Sequence, residues 1–189
     1  CRMSFYDFVQ TFWHTIIHEA PVWNWHMEFL CDELQESAER VFRGEKCPYD
    51  MVINIPPGTS KSTICSVMFR AWVWTRMPHA QMIYTSHNGD LARRLSVLAR
   101  KVINSAKYKR LFPEIVLVKD NEGYFENDRG GWSSSVGMGS SPIGTHAHFI
   151  GVDDPIDPRS AGTDSAKLEE ANDFITNTLT SRKLLGGTA

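Results

Sequence analysis

The chain has 189 residues, of which 42% are hydrophobic and 22% are charged, and its formal net charge is −2. This composition is typical of one globular domain with a real core, and it excludes an intrinsically disordered chain. No apolar run approaches the length of a membrane span, and the balanced charge excludes a strongly basic nucleic-acid-binding surface over the whole molecule.

The cysteines show no metal-binding pattern. The sequence has 4 cysteines, without a CxxC pair and without a His/Cys cluster at zinc spacing. Cys31 and Cys65 stand among apolar residues, so we expect buried thiols in a reducing, cytosolic setting. Because the first residue is Cys1 rather than Met, and the last four are Gly-Gly-Thr-Ala, we expect a fragment or a processed piece of a longer chain.

Helical periodicity dominates the first part of the chain, from Ser4 to Val41. Pro21 separates an aromatic-rich lead from a second helix. In that second helix apolar residues recur at steps of three and four, namely at Met27, Leu30, Leu34 and Ala38. We therefore predict an N-terminal helical lead over residues 1–45.

The period then alternates between strand and helix. Apolar runs predict strands at 51–55, 81–85 and 148–152, with short β-like pieces at 115–118, 124–127 and 132–136. Three further helices are predicted. The first begins at Ser62, the second covers Asn88 to Ser105, and the third begins at a cap at Thr163 or Asp164 and ends at Leu179. This alternation predicts an α/β fold, a mainly parallel sheet with helices on both faces. Ligands on such sheets bind beyond the carboxyl ends of the strands.

A loop between the first predicted strand and the next helix has the features of a phosphate-binding loop. Its residues are Pro56, Pro57, Gly58, Thr59, Ser60, Lys61, Ser62 and Thr63. Inward backbone N–H groups and the start of a helix bind phosphate, Lys61 would contact the β- and γ-phosphates, and Ser62 would coordinate Mg²⁺. Ile55 and Ser60 occupy the glycine positions of GxxxxGK[ST], so Ser60 needs a tolerated or a strained φ. The alternative is a proline-rich turn with Lys61 at the surface.

Two acids follow the predicted strand 148–152. An apolar strand that ends in two carboxylates is typical of a Walker B motif. Asp153 would bind Mg²⁺, and Asp154 would orient and deprotonate the attacking water. The alternative is an Asp-Pro turn that ends the strand. Together with the loop at 56–63, the pair favours a site for ATP and Mg²⁺.

Several motifs in order make the chain resemble the N-terminal ATPase domain of tailed-bacteriophage large terminase subunits. They are Trp25-His26 through Leu34-Gln35, INIPPGTSKST, AWVWTRMPHAQMIYTSH with LARRLS, and GGWSSSVGMGSSPIGTHAHFIGVDDP. The resemblance covers residues 5 to 180 and implies a three-layer P-loop NTPase of the ASCE or RecA-like type. The ATPase core would be 46–180, followed by a truncated linker over 181–189, with the C-terminal nuclease domain absent.

What the resemblance implies is a motor that hydrolyses ATP to move double-stranded DNA into a capsid. Adenine would lie by Trp25 and His26, for which core packing and a helix cap are the alternatives. A cation must neutralise charge in the transition state. The candidates are Arg93, Arg94 and Arg129, from this chain or from a neighbouring subunit; Arg94 is the one we assign as catalytic, and an ordinary surface arginine is the alternative for each.

The resemblance also implies partners and a location. The partners would be the portal protein, the small terminase subunit and further copies in a pentameric ring, with a monomer in isolation and no membrane. The location would be the cytoplasm of an infected bacterium, transiently at the capsid portal. Departures are Gly58 where many members have Arg, Ser60 where many have Gly, and Asp154 where many have Glu. Two alternatives stay open: another P-loop DNA-dependent ATPase of the helicase or repair kind, and a nucleotide-binding module without turnover.

Overall fold

The structure is a computed structural model, and it describes residues 2–140, 145–157 and 165–188. The strands in chain order are β1 (Gln81–Ser86), β2 (Leu117–Asp120), β3 (Tyr124–Asn127), β4 (Trp132–Gly137), β5 (Ala147–Val152) and β6 (Lys183–Thr188). They form one sheet in the order β2-β3-β4-β1-β5-β6. The pairs β4–β1, β1–β5 and β5–β6 are parallel, whereas β2–β3 and β3–β4 are antiparallel. The predicted α/β class with a mainly parallel sheet is confirmed.

The helices flank this sheet. They are α1 (Phe5–Phe12), α2 (Trp25–Phe42), α3 (Phe69–Arg76), α4 (Gly89–Asn104), α5 (Ala106–Leu111) and α6 (Ser165–Asp173). Two segments, Thr63–Met68 ahead of α3 and Phe174–Leu179 after α6, are π-helical. Short 3₁₀ turns follow α1 at Trp13–Thr15 and precede β6 at Thr180–Arg182. Asn88 caps α4 by accepting a hydrogen bond from the Asp90 N–H at 2.8 Å, which fits the predicted helix start.

The two faces of the sheet pack against different helices because side chains alternate along each strand. Met82 and Phe149, neighbours across β1 and β5, belong to the large core beneath α1 to α4. Its largest fully buried side chains include Trp72, Trp74, Tyr108, Phe5, Phe8 and Phe12. On the opposite face Ile83 and Ile150 pack with Leu179 of the C-terminal helical segment. Helices therefore cover both faces, which is compatible with three layers.

The predicted strand at 51–55 is wrong. Residues 51–56 form no regular ladder in the structure. Ile53 and Ile55 are half-buried and pack against the large core, but Val52 is 91% exposed. The apolar run that suggested a buried strand is therefore an extended segment with only one side on the core, and its backbone does not join the sheet.

The C-terminal end also differs from expectation. Residues 183–188, which lie within the expected linker 181–189, form β6 at the edge of the sheet and pair in parallel with β5. The predicted helix caps Thr163 and Asp164 lie outside the described residues. None of the described helices has the length and apolar character that crossing a bilayer requires.

Candidate functional site

The acid pair, Asp153 and Asp154, lies at the carboxyl edge of the parallel strands. It directly follows β5, and two backbone hydrogen bonds tie it to the end of the neighbouring β1. The Asp153 N–H donates to the Thr85 carbonyl at 2.9 Å, and the His87 N–H donates to the Asp154 carbonyl at 3.1 Å. The Nδ1 atom of His87 also lies 2.8 Å from that carbonyl, so this ring nitrogen is the donor. The ends of β1 and β5 therefore fix the backbone of both acids.

The lysine loop, residues 56–62, is a tight turn that leads into the π-helical segment. The Thr59 hydroxyl donates to the Pro56 carbonyl at 2.7 Å, and the Ile64 N–H donates to the Ser60 carbonyl at 3.0 Å. Gly58 and Ser60 both have left-handed backbone, with φ of 81° and 65°. The left-handed conformation costs a non-glycine residue about 1–2 kcal/mol. Of the two options for Ser60, the strained φ is the one that the loop adopts.

The lysine loop meets the acid pair through one direct contact. The Lys61 ammonium lies 3.1 Å from the Asp154 carboxylate, although the two residues are 93 positions apart in sequence. Their side chains are 28% and 45% exposed, so solvent and solutes reach both groups. Lys61 is thus not an isolated surface residue, and Asp154 does more than end a strand. The two motifs that the sequence predicted to lie at one edge of the sheet are therefore in direct contact.

The Asp153 carboxylate, which we predicted to bind Mg²⁺, is hydrogen-bonded to a serine of the π-helical segment. Its Oδ2 atom accepts a hydrogen bond from the Ser66 hydroxyl at 3.3 Å, and both residues are buried. Within the described part of the chain no hydrogen bond joins Asp153 to Ser62, which is half-buried at the start of the helix. Ser66 lies four positions after Ser62, on the same side of a helix. Ser66 was not among the predicted site residues, and its helical spacing from Ser62 is the signal that could have identified it.

His26 joins α2 to the lysine loop. Its Nε2 atom lies 3.4 Å from the Thr59 carbonyl, and Asn24, rather than His26, caps the helix. Trp25 is 74% exposed, which rules out the core-packing alternative for this residue. Its ring lies 6.5 Å from the ring of Phe29. The first turn of α2 therefore presents exposed aromatic surface next to the loop.

The candidate arginines lie at opposite ends of the parallel strands. Arg93 and Arg94 are exposed in the first turns of α4, which begins just beyond the carboxyl end of β1; Arg93 is paired with Asp90. Arg129 lies in the turn before Trp132, whose register partner is Gln81 at the amino end of β1. Arg129 is therefore at the amino end of the parallel strands, whereas Lys61 and the acid pair lie at the carboxyl end, and Arg129 does not reach the acid pair of its own chain. For Arg94, the described residues show no ion pair and no contact with the acid pair.

Metal-binding and thiol chemistry are limited by what surrounds the acids. Among the residues that the structure describes, no three His, Cys, Asp or Glu side chains cluster to hold a metal. Cys65, half-buried beside the site, has its pKa raised to about 12, chiefly by burial and further by Asp153, with Lys61 opposing. This thiol stays protonated at neutral pH and is no nucleophile.

The sequence matches no protein-family model and no curated protein.

The geometry of these residues is therefore what identifies this region as a candidate site. One edge of the sheet carries an accessible ammonium, an accessible carboxylate and a buried carboxylate with a hydroxyl donor. The helix that follows the lysine loop begins at the same place. Groups of these kinds bind polyphosphates and their cations in other proteins.

Proposed function

We propose that this chain is an ATP-hydrolysing P-loop domain, the motor domain of a large terminase subunit. The observation that carries the proposal is the 3.1 Å contact between Lys61 and Asp154. It brings the lysine loop and the acid pair to one edge of the sheet, where α/β proteins bind ligands. The resemblance of the motifs supplies the terminase assignment.

The lysine loop binds the triphosphate. Lys61 exchanges its contact with Asp154 for the β- and γ-phosphates, since a polyphosphate carries more charge than one carboxylate. The backbone N–H groups of residues 58–63 face the phosphates. Gly58 and Ser60 adopt the left-handed conformation within this stretch. Release from Lys61 frees Asp154 to orient the attacking water and to accept its proton. Trp25 and His26 lie beside the loop to receive adenine.

The residues present fit Mg²⁺. This cation prefers oxygen ligands and is bound by one or two carboxylates together with substrate phosphates, so a cage of three acids is not required. The Asp153 carboxylate, 6% exposed, and the hydroxyl of Ser62 would hold it. When bound, Mg²⁺ neutralises charge on the phosphates. Ser66 keeps the Asp153 carboxylate in place through its hydrogen bond.

The biological setting follows from the resemblance alone. We propose that the motor moves double-stranded viral DNA, acts at the portal as a pentameric ring with the small terminase subunit, and works in the cytoplasm of the infected bacterium. Arg94, at the start of α4, is the arginine that we propose to neutralise transition-state charge, from this chain or from its neighbour in the ring.

One observation favours a second function, nucleotide binding without turnover. Asp154 is tied to Lys61, and its side chain is shorter than the glutamate that many related motors carry. If the released carboxylate does not reach the water, ATP binds and is not hydrolysed.

The test is nucleotide binding and ATP turnover by one set of variants. We expect Lys61→Ala to lose binding, and Asp154→Asn to bind ATP but to lose turnover at least a hundredfold, which is the range for removing a general base. Lys101→Ala, an exposed lysine of α4, is the matched control and keeps both properties. Binding without turnover by the unmodified chain supports the second function, and Lys61→Ala with normal ATP affinity contradicts both.

A further inference from the structure

A buried guanidinium lies beneath the acid pair. Arg70 of α3 is 1% exposed, and its Nη1 atom donates to the Ser135 hydroxyl at 2.7 Å. Its Nε atom has no hydrogen-bond partner, and among the described residues no carboxylate forms an ion pair with it. A buried charge without an ion pair is expensive, so its surroundings must compensate for it.

The compensation comes from an aromatic ring in the middle of the sheet. The guanidinium carbon of Arg70 lies 3.7 Å from the centre of the Tyr84 ring. Tyr84 of β1 has Ser135 of β4 and Gly151 of β5 as its register partners. A Cβ atom on Gly151 would stand 2.4 Å from the ring, so only glycine leaves room for it. The Tyr84 hydroxyl donates to the Cys65 carbonyl at 3.2 Å.

Asp153 lies on the same side of the sheet as this stack. It follows Gly151 by two positions, so both face α3 and the π-helical segment. Ser66, which donates to Asp153, precedes Arg70 by four positions on that helix. Burial lowers the pKa of Arg70 to about 10, while Tyr84 and the Asp153 carboxylate oppose the shift. Arg70 is therefore still a cation at neutral pH, and the Asp153 carboxylate is the negative charge that acts on it.

We propose that Arg70 is a positioning residue, whose buried charge and stack on Tyr84 hold the end of β5 so that the Asp153 carboxylate points to Ser66 and the metal position. Arg70 touches neither nucleotide nor metal. The role of the metal rests on the proposed function, whereas the orientation of Asp153 does not. Without the guanidinium, a buried carboxylate with one hydroxyl donor turns toward the solvent and Lys61.

The test separates metal-dependent from metal-independent binding. ATP affinity is measured with Mg²⁺ and with EDTA for the unmodified chain, Arg70→Met, Arg70→Lys and Ser135→Ala, after thermal unfolding has shown that each is folded. We expect Arg70→Met to lose roughly tenfold in Mg²⁺-dependent affinity, equal to about 1.4 kcal/mol, with unchanged affinity in EDTA. Arg70→Lys, which keeps the charge, restores part of the loss. A uniform loss in both conditions, or tighter Mg²⁺-dependent binding through relief of charge repulsion, overturns the proposal.

A crystal structure of Arg70→Met gives a reading that is independent of ATP. We expect the Asp153 carboxylate to leave Ser66; if the two stay hydrogen-bonded, the proposal is wrong. If Arg70→Met does not fold, Ser135→Ala, which removes the hydrogen-bond partner of the guanidinium, carries both measurements with the same criteria. Failure of the unmodified chain to bind ATP refutes the proposed function alone, because the position of Asp153 still decides the role of Arg70.

Discussion

Ser60 and Asp154 lie next to and within the Lys61–Asp154 ion pair, respectively, and both have left-handed backbone. Their φ angles are 65° and 46°, and no other non-glycine residue in the described ranges has a positive φ. Ser60 precedes Lys61, and Asp154 is the residue that Lys61 contacts. Backbone strain of this kind concentrates at functional sites, where the surrounding structure maintains it. The strain therefore marks the same place as the charges.

The strain at Ser60 makes a stability prediction. Ser60→Gly removes the left-handed penalty of about 1–2 kcal/mol. Glycine also raises the conformational entropy of the unfolded chain, which costs about 0.5–1 kcal/mol of stability, so we expect a net stabilisation of roughly 0.5 kcal/mol. Ser60→Val, whose β-branched side chain is disfavoured there, is expected to destabilise the domain. Urea unfolding measures both. Ser37→Gly within α2 is the control and loses stability, because glycine weakens a helix interior.

The Lys61–Asp154 pair is expected to matter for binding and little for folding. Both side chains are partly exposed, and pairs of this kind contribute about 0–1 kcal/mol. Lys61→Ala and Asp154→Asn should therefore lower the free energy of unfolding by less than about 1 kcal/mol. Chemical denaturation of each variant and of the double variant checks this. A loss of several kcal/mol in either single variant would show instead that the pair is a structural element.

Gly151 is predicted to be intolerant of any side chain. A Cβ atom there would lie 2.4 Å from the Tyr84 ring, and the Arg70 guanidinium stacks on that ring. Overpacking of a close-packed core costs about 1–3 kcal/mol, so we expect Gly151→Ala to lower the thermal midpoint by several degrees. Gly89→Ala is the matched control, since its nearest neighbour would be at an ordinary 3.7 Å. Equal midpoints for the two variants would contradict the close contact.

Exposed Trp25 is expected to contact the base and not the phosphates. Trp25→Ala should weaken ATP binding by about 0.5–1.5 kcal/mol, the range for aromatic pairs, and leave the affinity for inorganic triphosphate unchanged. Calorimetric titration with the two ligands measures this difference. Val22→Ala, at a residue that is 86% exposed, serves as the control. If both ligands lose affinity equally, Trp25 supports the lysine loop and does not stack on adenine.

His148 is expected to make the domain less stable in weak acid. Burial, with repulsion from nearby His79, lowers the pKa of His148 below its ordinary value. As the pH falls below about 6.5, His148 is protonated in the unfolded chain before it is protonated in the folded chain. The free energy of unfolding therefore decreases as the pH falls from neutral toward the lower pKa that His148 has in the folded chain. Thermal midpoints between pH 7 and pH 5 should fall less for His148→Gln than for the unmodified chain. His18→Gln, at an exposed position, should follow the unmodified chain.

Strong local patterns predicted most of the architecture. β1 and β5 lie within one residue of the apolar runs at 81–85 and 148–152, and α4 covers Gly89–Asn104 where a helix from Asn88 to Ser105 was predicted. The segment 51–55 failed because an apolar run does not reveal whether the backbone finds a ladder partner. Its exposed Val52 shows that one side is in solvent.

The site was predictable in its accessible groups and not in its buried ones. Lys61 and Asp154 belong to two motifs that the sequence predicted to lie at the same edge of the sheet. Ser66 and Arg70 are a serine and an arginine within an ordinary helical pattern. Their partners Asp153 and Ser135 lie 87 and 65 positions further along, and only the packing of the helix on the sheet brings them together.

The separation of 93 positions between Lys61 and Asp154 has a consequence for folding. No short segment contains both groups, so an unfolded or half-folded chain offers a polyphosphate nothing resembling the assembled edge. A ligand that recognises only the assembled edge shifts the folding equilibrium by mass action, by about 2.7 kcal/mol at a hundredfold excess over its Kd. If the ligand is a nucleotide, as proposed, raising its concentration is expected to stabilise the folded region from the second helix to the fifth strand.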